Sequence, residues 1–242
     1  MKNIILVACL LLASCTTPVD GPLSIKPHIQ TDEWAVKWWM PRHQQKLIEK
    51  EQMASVDLLF LGDSITHAWE NKGKEVWRQY YAKRQALNIG FSGDRTENVL
   101  WRLENGEVEG IDPKLVVLMI GTNNTGHRQD APMDTALGIK RILETLEKKL
   151  PNSKVLLLAI FPRGASANDP LRKINDDINH IIKNYHDGDR VHYLDINHIF
   201  LDQNGNLSQA VMKDLLHPNA EQYEVWAQAM EPSINTLMAS KH

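Results

Sequence analysis

Residues 58–64 read LLFLGDS, an apolar run that ends in glycine, aspartate and serine. A short apolar run that stops at a turn signal is typical of a strand buried on both faces of a sheet. In open sheets of parallel strands, ligands bind beyond the carboxyl ends of the strands. This stretch therefore predicts a buried strand that presents the Ser64 hydroxyl at the ligand-binding edge of a parallel sheet.

Four further apolar runs predict strands, and longer amphipathic segments between them predict helices. The predicted strands cover residues 56–61, 86–89, 115–120, 155–160 and 191–196, and the predicted helices cover residues 32–52, 97–103, 132–150, 171–185 and 219–238. This alternation is typical of a parallel sheet with helices on both faces. We therefore expect an α/β fold, a three-layer α/β/α sandwich around five parallel strands.

The first 31 residues resemble an export signal followed by a tether. An apolar core at residues 4–12 is too short to span a bilayer comfortably, and LASC at 12–15 resembles the cleavage site of bacterial lipoproteins. We predict a signal peptide at residues 1–14, lipidation of Cys15 and a tether at residues 15–31. An ordinary signal peptide with no role for Cys15 is the alternative. The sequence thus predicts an exported lipoprotein, anchored through Cys15 to the outer membrane on its periplasmic face or at the cell surface.

The composition limits the partners and the chemistry of the chain. There are 27 lysines and arginines against 30 aspartates and glutamates, with no basic run, so we expect no nucleic-acid partner. The only cysteines are Cys9 and Cys15, which leaves the predicted domain without disulfide or thiol chemistry. Residues 32–242 are long enough for one domain and short for two. We expect no cofactor, and the oligomeric state is open.

A late Asp-x-x-His motif supplies a candidate base for Ser64. Residues 214–218 read DLLHP, which places Asp214 three residues before His217. A serine hydroxyl becomes nucleophilic when a base takes its proton, and a neighbouring carboxylate holds the imidazole in the tautomer that the reaction needs. These residues predict a serine esterase with Ser64 as nucleophile, His217 as base and Asp214 as its orienting acid.

A second Asp-x-x-His motif, formed by Asp195 and His198, is equally good as a pattern. It directly follows a predicted strand and lacks the proline and the long helix that follow His217. Together with His192 it also suggests metal ligands, but no Glu-x-x-His helix accompanies these residues. We therefore predict no metal site and favour His217, with His198 as the alternative base.

Four short segments occur in the order in which they occur in the SGNH (GDSL) hydrolases. They are GDS at 62–64, NIGFSGD at 88–94, GTNN at 121–124 and DLLH at 214–217. Residues 60–124 are especially similar to the catalytic subunits of intracellular platelet-activating factor acetylhydrolase. The resemblance implies the flavodoxin-like α/β/α fold of that family, hydrolysis of acyl esters, and the triad roles named above.

An acyl-transfer site of this kind needs an oxyanion hole, with donors near the oxygen that becomes negative. The resemblance implies that the donors are the backbone N–H groups of Ser64 and Gly93 and the side-chain amide of Asn123. All three residues lie just past the ends of predicted strands. Gly90 is the rival of Gly93, and Asn123 has the alternative role of capping its loop.

Four residues are candidate substrate contacts, and some have a structural alternative: Asp63, Trp69, Arg95 and Asn124. Asp63 is equally suited to holding the Ser64 loop, and Trp69 to packing in the core. His127 and Arg128 have the same status as Arg95.

Three tryptophans near the N-terminus suggest a sugar-stacking platform or a packed helix. Trp34 and Trp38 are one helical turn apart, with Trp39 beside them. This spacing favours packing of the opening helix onto the domain.

The substrate is predicted from what the chain lacks as much as from what it carries. There is no lid domain or large apolar insertion of the sort that shelters long acyl chains, which favours a short acyl group, above all acetyl. An exported bacterial protein of this kind suits acetylated carbohydrates. The alternatives are a lysophospholipase- or thioesterase-type hydrolase, and a binding lipoprotein that keeps the fold without turnover.

Overall fold

The computed structural model describes residues 21–239, which form a five-stranded parallel sheet with helices on both faces. The strands are β1 (Leu58–Gly62), β2 (Ala86–Gly90), β3 (Leu115–Met119), β4 (Lys154–Leu158) and β5 (Val191–Leu194). Every neighbouring pair is parallel, and the strand order is β2-β1-β3-β4-β5. This order is that of flavodoxin-like sheets, and the predicted α/β fold with its five strands is confirmed.

The α-helices in the described part of the chain are α1 (Trp39–Gln52), α2 (Ser64–His67), α3 (Lys74–Tyr80), α4 (Thr96–Glu104), α5 (Pro132–Lys149), α6 (Pro170–Ile182) and α7 (Ala220–Ala239). Helix α1 begins at Trp39 and not at residue 32, because residues 33–38 form turns. Helices α2 and α3 were not predicted, since four and seven residues are too few to establish a hydrophobic period.

Strand β1 lies in the interior of the sheet, and all five of its residues are buried. Successive side chains of a strand point to opposite faces, so Leu59 and Leu61 join the apolar core beneath α4, α5 and α6. Leu58 and Phe60 join the core on the other face, which α7 covers. The continuous apolar run is therefore explained by burial on both faces.

The described part of the predicted tether, residues 21–31, belongs to the folded domain, and this corrects the predicted boundary at residue 32. The carbonyl of Ser24 accepts a hydrogen bond from Thr96 Oγ1 at 2.8 Å, and the carbonyl of His28 accepts one from Asn98 Nδ2 at 2.9 Å. These contacts satisfy two backbone carbonyls of the segment, which packs on α4 instead of remaining a loose linker.

The predicted signal peptide and Cys15 lie outside the described residues. None of the helices within residues 21–239 is long and apolar enough to cross a membrane.

Candidate active site

The loops after three neighbouring strands bring the predicted site residues to one edge of the sheet. Ser64 begins α2, two residues after β1. Gly93 and Asn123 follow β2 and β3, the strands on either side of β1. His217 comes from the loop before α7 and reaches the same edge through its contact with Ser64.

Ser64, His217 and Asp214 form one chain of hydrogen bonds. Ser64 Oγ lies 2.8 Å from His217 Nε2, and His217 Nδ1 lies 2.6 Å from Asp214 Oδ2. Because an ionised carboxylate only accepts hydrogen bonds, Nδ1 carries the imidazole proton and Nε2 is free to accept the proton of the Ser64 hydroxyl. The arrangement is therefore suited to withdrawing a proton from Ser64.

Asp214 also builds the turn that carries His217. Its Oδ1 accepts hydrogen bonds from the backbone N–H groups of Leu216 at 3.1 Å and His217 at 2.8 Å. Leu215, which lies between Asp214 and Leu216, adopts a left-handed backbone with φ of 57°. Burial raises the pKa of Asp214, but the hydrogen bonds from His217 and Leu216 outweigh it and lower the pKa to about 2. The carboxylate thus stays ionised at neutral pH.

Asp63 holds the start of α2, where Ser64 lies. Its Oδ1 accepts a hydrogen bond from the backbone N–H of Ile65 at 3.0 Å, the N-cap interaction of this helix. The side chain is buried, and burial, with a smaller contribution from Asp94, raises its pKa to about 7. Asp63 was predicted as a substrate contact, and this is wrong because its carboxylate is enclosed and engaged with the helix.

Two glycines are candidates for the backbone N–H of the oxyanion hole, and hydrogen bonding and backbone conformation distinguish them. The backbone N–H of Gly90 already donates to Asn88 Oδ1 at 2.8 Å, and a Cβ on Gly90 would meet the backbone of α2. Gly93 has a φ of +78°, a conformation that L side chains rarely adopt. The structure therefore favours Gly93 over Gly90 as the candidate donor.

The Asn123 side chain is buried and oriented by the loop after β2. Its Nδ2 donates one hydrogen bond, at 2.9 Å, to the carbonyl of Asp94. A side-chain amide has two N–H donors, so the second is available to a bound oxyanion. This hydrogen bond also ties the loops that carry Gly93 and Asn123 to each other.

A buried polar network, absent from the sequence-based prediction, supports the loop after β2. Asp94 accepts hydrogen bonds from Trp39 Nε1 at 2.6 Å and from Arg102 Nε at 2.8 Å, and Arg102 also pairs with Glu107. Burial raises the pKa of Asp94 to about 6 against the opposing effect of Arg102 and Trp39. Asp94 and Arg102 do lie in segments that carry the family resemblance, which is the signal that could have found them.

Trp69 lies in the core and does not line the site. It is fully buried, and its ring packs against Phe60, Tyr223 and Trp226 at centroid distances of 6.1, 4.6 and 4.7 Å. The predicted substrate contact is therefore wrong for Trp69, and the alternative role in core packing is correct.

Asn124 is the third substrate contact that the structure corrects. It is fully buried; its Oδ1 accepts from the backbone N–H of Thr96 at 3.1 Å, and its Nδ2 donates to Asp130 Oδ2 at 3.0 Å. With these atoms engaged, Asn124 fastens its loop to the start of α4.

The alternative base His198 lies away from Ser64. It is exposed in a short 3-10 helix after β5, an edge strand that β3 and β4 separate from β1. Asp195 caps the backbone N–H of Asn197 at 2.9 Å. Within residues 21–239, no group of three histidines, cysteines, aspartates or glutamates could hold a metal ion.

Arg95, like His127 and Arg128, is a candidate substrate contact that lines an open groove. The groove has a volume of about 390 Å³ and is lined by Asp32, Trp34, Arg95, His127 and Arg128. Arg95 pairs with Glu97 at 2.9 Å and with Asp32 at 3.3 Å. Of the tryptophan stripe, Trp39 is buried as predicted, but Trp34 is exposed on this groove.

A sequence model of the GDSL-like lipase/acylhydrolase family matches residues 60–225, from β1 into α7, a range that includes the proposed triad and oxyanion residues. The chain belongs to this family. It is 35% identical to the human platelet-activating factor acetylhydrolase IB subunit alpha1 over 221 residues, which cover 91% of this chain and 92% of the human one. It is also 35% identical to the platelet-activating factor acetylhydrolase IB subunit alpha2 from Gallus gallus over 199 residues, which cover 82% of this chain and 84% of that one.

Solved structures of other proteins share the fold. A putative acylhydrolase from Bacteroides fragilis superposes with a TM-score of 0.68 at 22% identity, over 86% of this chain and all of that one. An acetylxylan esterase from Geobacillus stearothermophilus gives a TM-score of 0.58 at 17% identity, over 78% of this chain and 97% of its own.

Proposed function

We propose that this acylhydrolase is a serine esterase that removes short acyl groups, above all acetyl, from carbohydrate esters. The hydrogen-bond chain from Ser64 through His217 to Asp214 carries the proposal. Its order and distances are those that nucleophilic acyl transfer requires.

The reaction proceeds in two steps through an acyl-enzyme. Ser64 Oγ attacks the ester carbonyl carbon while His217 Nε2 takes the hydroxyl proton. The carbon–oxygen bond to the alcohol then breaks, and the imidazolium returns the proton to the leaving oxygen. In the second step His217 takes a proton from water, whose oxygen attacks the acyl carbon, and the acid leaves as Ser64 regains its proton.

The negative charge that develops on the carbonyl oxygen in both steps needs fixed donors. We assign this role to the backbone N–H groups of Ser64 and Gly93 and to the second N–H of Asn123. Each such donor lowers the barrier by about 3 kcal/mol, because it is already oriented when the charge forms. Asp214 stabilises the imidazolium without taking its proton.

The preference for acetyl groups has independent support. The relatives at 35% identity are named as acetylhydrolases, and the fold is shared with a protein named as an acetylxylan esterase. The phospholipid in the relatives' name does not transfer with the fold, because substrate choice depends on the individual site. A carbohydrate ester also suits the export signal that the sequence predicts.

The experiment measures acetate released by pure protein from acetylated oligosaccharides and from p-nitrophenyl esters of increasing chain length. We expect acetyl esters to be cleaved fastest, Ser64→Ala and His217→Ala to be inactive, and His198→Ala to retain activity. A serine-directed phosphonate should modify Ser64, as read by mass spectrometry. Absence of both hydrolysis and adduct would leave a binding protein as the better account, and faster cleavage of long-chain esters or thioesters would exclude the acetyl preference.

We also propose that the enzyme is an exported lipoprotein, tethered through Cys15. The apolar segment and the small residues before Cys15 support this proposal. Replacement Cys15→Ala should release the enzyme from the membrane fraction of a bacterial host and abolish labelling by radioactive palmitate. Unchanged membrane retention of Cys15→Ala without lipid label would contradict it.

A further inference from the structure

Trp34 is a large apolar side chain that folding leaves in solvent beside the proposed oxyanion hole. It is 53% exposed, whereas Trp39, five residues later, is fully buried. Its ring lies directly on Gly93, since a Cβ placed on that glycine would be 2.3 Å from Cη2 and 2.4 Å from Cζ2 of Trp34. One edge of the ring therefore forms a wall beside a proposed oxyanion donor, while about half of the side chain is exposed to solvent.

The segment that carries Trp34 is fastened on both sides of the ring. Trp38 Nε1 donates a hydrogen bond to the carbonyl of Trp34 at 3.2 Å, and the two rings lie 6.0 Å apart. Gln30 donates to the carbonyl of Gly93 at 3.2 Å, and its Oε1 accepts from the backbone N–H of Asp32 at 3.1 Å. The ring is thus preorganised, which reduces the entropy that a ligand loses on contact.

The groove against this ring combines one flat aromatic surface with charged and polar side chains. Besides Trp34, its lining consists of Asp32, Arg95, His127 and Arg128. Arg95 lies 3.3 Å from Asp32 and 3.2 Å from His127, so donors and acceptors stand side by side. Small-molecule sites take this form, with an apolar surface for packing and a few polar groups that fix orientation.

We propose that Trp34 and this groove bind a pyranose ring of the alcohol that leaves when the ester is cleaved. The C–H face of a sugar packs on an aromatic ring, and its hydroxyls find carboxylate and guanidinium partners at the rim. An alkyl chain would need a continuous apolar channel, whereas four of the five lining residues are polar or charged. The inference rests on the proposed function, whose carbohydrate substrate it makes specific.

The test compares acetylated xylo-oligosaccharides with ethyl acetate, an ester whose alcohol has no ring. In Trp34→Ala, kcat/KM for the sugar ester should fall about tenfold more than for ethyl acetate, mainly through KM, because one ring contact is lost. Trp34→Phe should regain most of the difference. Val36→Ala is the matched control, since Val36 is an exposed apolar residue of the same segment that is not among the groove-lining residues.

Parallel losses on both esters would overturn the inference, because Trp34 would then act only by supporting Gly93. A binding titration separates this failure from failure of the proposed function. Unacetylated xylo-oligosaccharide is titrated into Ser64→Ala and into Ser64→Ala with Trp34→Ala, and about tenfold weaker binding by the second supports the subsite even if no sugar ester is cleaved. Equal binding, or Trp34-dependent retention on phosphatidylethanolamine vesicles without sugar binding, would refute it.

Discussion

Replacing Asp214 by asparagine should reduce activity more than replacing it by alanine. In the native turn, Oδ1 accepts two backbone N–H groups, from Leu216 and His217, and Oδ2 faces His217 Nδ1 at 2.6 Å. An asparagine keeps both backbone hydrogen bonds only if its oxygen takes the Oδ1 position. Its NH₂ group then points at His217 Nδ1, which must give up its proton, so the imidazole carries its proton on Nε2 and cannot accept one from Ser64.

The expected loss of kcat in Asp214→Asn follows from these hydrogen bonds and from the solvent exposure of the Asp214 side chain. If the asparagine amide turned its oxygen toward His217 Nδ1 instead, the turn would lose two backbone hydrogen bonds, worth about 1 kcal/mol each. The imidazole with its proton on Nε2, which cannot accept a proton from Ser64, is therefore the dominant tautomer in Asp214→Asn. The same substitution in a triad with a buried aspartate costs about 10⁴-fold in kcat. Because the Asp214 side chain is 55% exposed and water can compete for Nδ1, we expect about 10²–10³-fold, or about 3–4 kcal/mol.

The assay is kcat for p-nitrophenyl acetate, with the melting temperature of each variant as a check on folding. In Asp214→Ala, water can accept the Nδ1 proton and the productive tautomer survives, so kcat should fall less than in Asp214→Asn. If folded Asp214→Ala is as inactive as Asp214→Asn, the tautomer argument is refuted and the carboxylate acts mainly through its charge.

Three further predictions concern an oxyanion donor, the N-cap of α2 and the aromatic core. Asn123→Ala should lower kcat by about 10²–10³-fold with little change in KM, because it removes a donor to the transition state. The unfolded chain loses the Asp63 proton near pH 4, whereas the folded chain keeps it up to a pH of about 7. The free energy of unfolding should therefore decrease as the pH rises from about 4 to about 7. Asp63→Asn should flatten this dependence in urea titrations, and an unchanged slope would disprove the raised pKa. Trp69→Ala should cost about 3–5 kcal/mol in chemical denaturation, since it empties a fully buried ring site.

The layout of the sheet was predictable because the strands carry their own signal. Burial on both faces makes β1 and β3 continuously apolar, and the same edge then collects the residues that follow each strand. For this reason the sequence alone predicts that Ser64, Gly93 and Asn123 lie together at one edge of the sheet. His217 was distinguishable from His198 by the proline and the helix that follow it.

The failures share a physical cause, which is that contacts between distant segments leave no local pattern. Residues 21–31 contain little periodic apolar content, yet α4 side chains satisfy their backbone. The exposure of Trp34 arises because α1 begins five residues after it, so helical spacing does not apply there. The side chain of Asn124 hydrogen-bonds to Thr96 and Asp130, and this role shows only in the packed structure.

The turn that joins Asp214 to His217 sets the geometry of the acid–base pair through contacts within the turn itself. Their mutual geometry is set by hydrogen bonds within four residues, whereas Ser64 lies at the start of α2, 153 positions away in sequence. A displacement of this loop changes the distance from His217 to Ser64 and leaves the distance from His217 to Asp214 intact. Motion of this loop therefore controls proton transfer through one distance, from His217 Nε2 to Ser64 Oγ, while the acid–base pair keeps its own hydrogen bond.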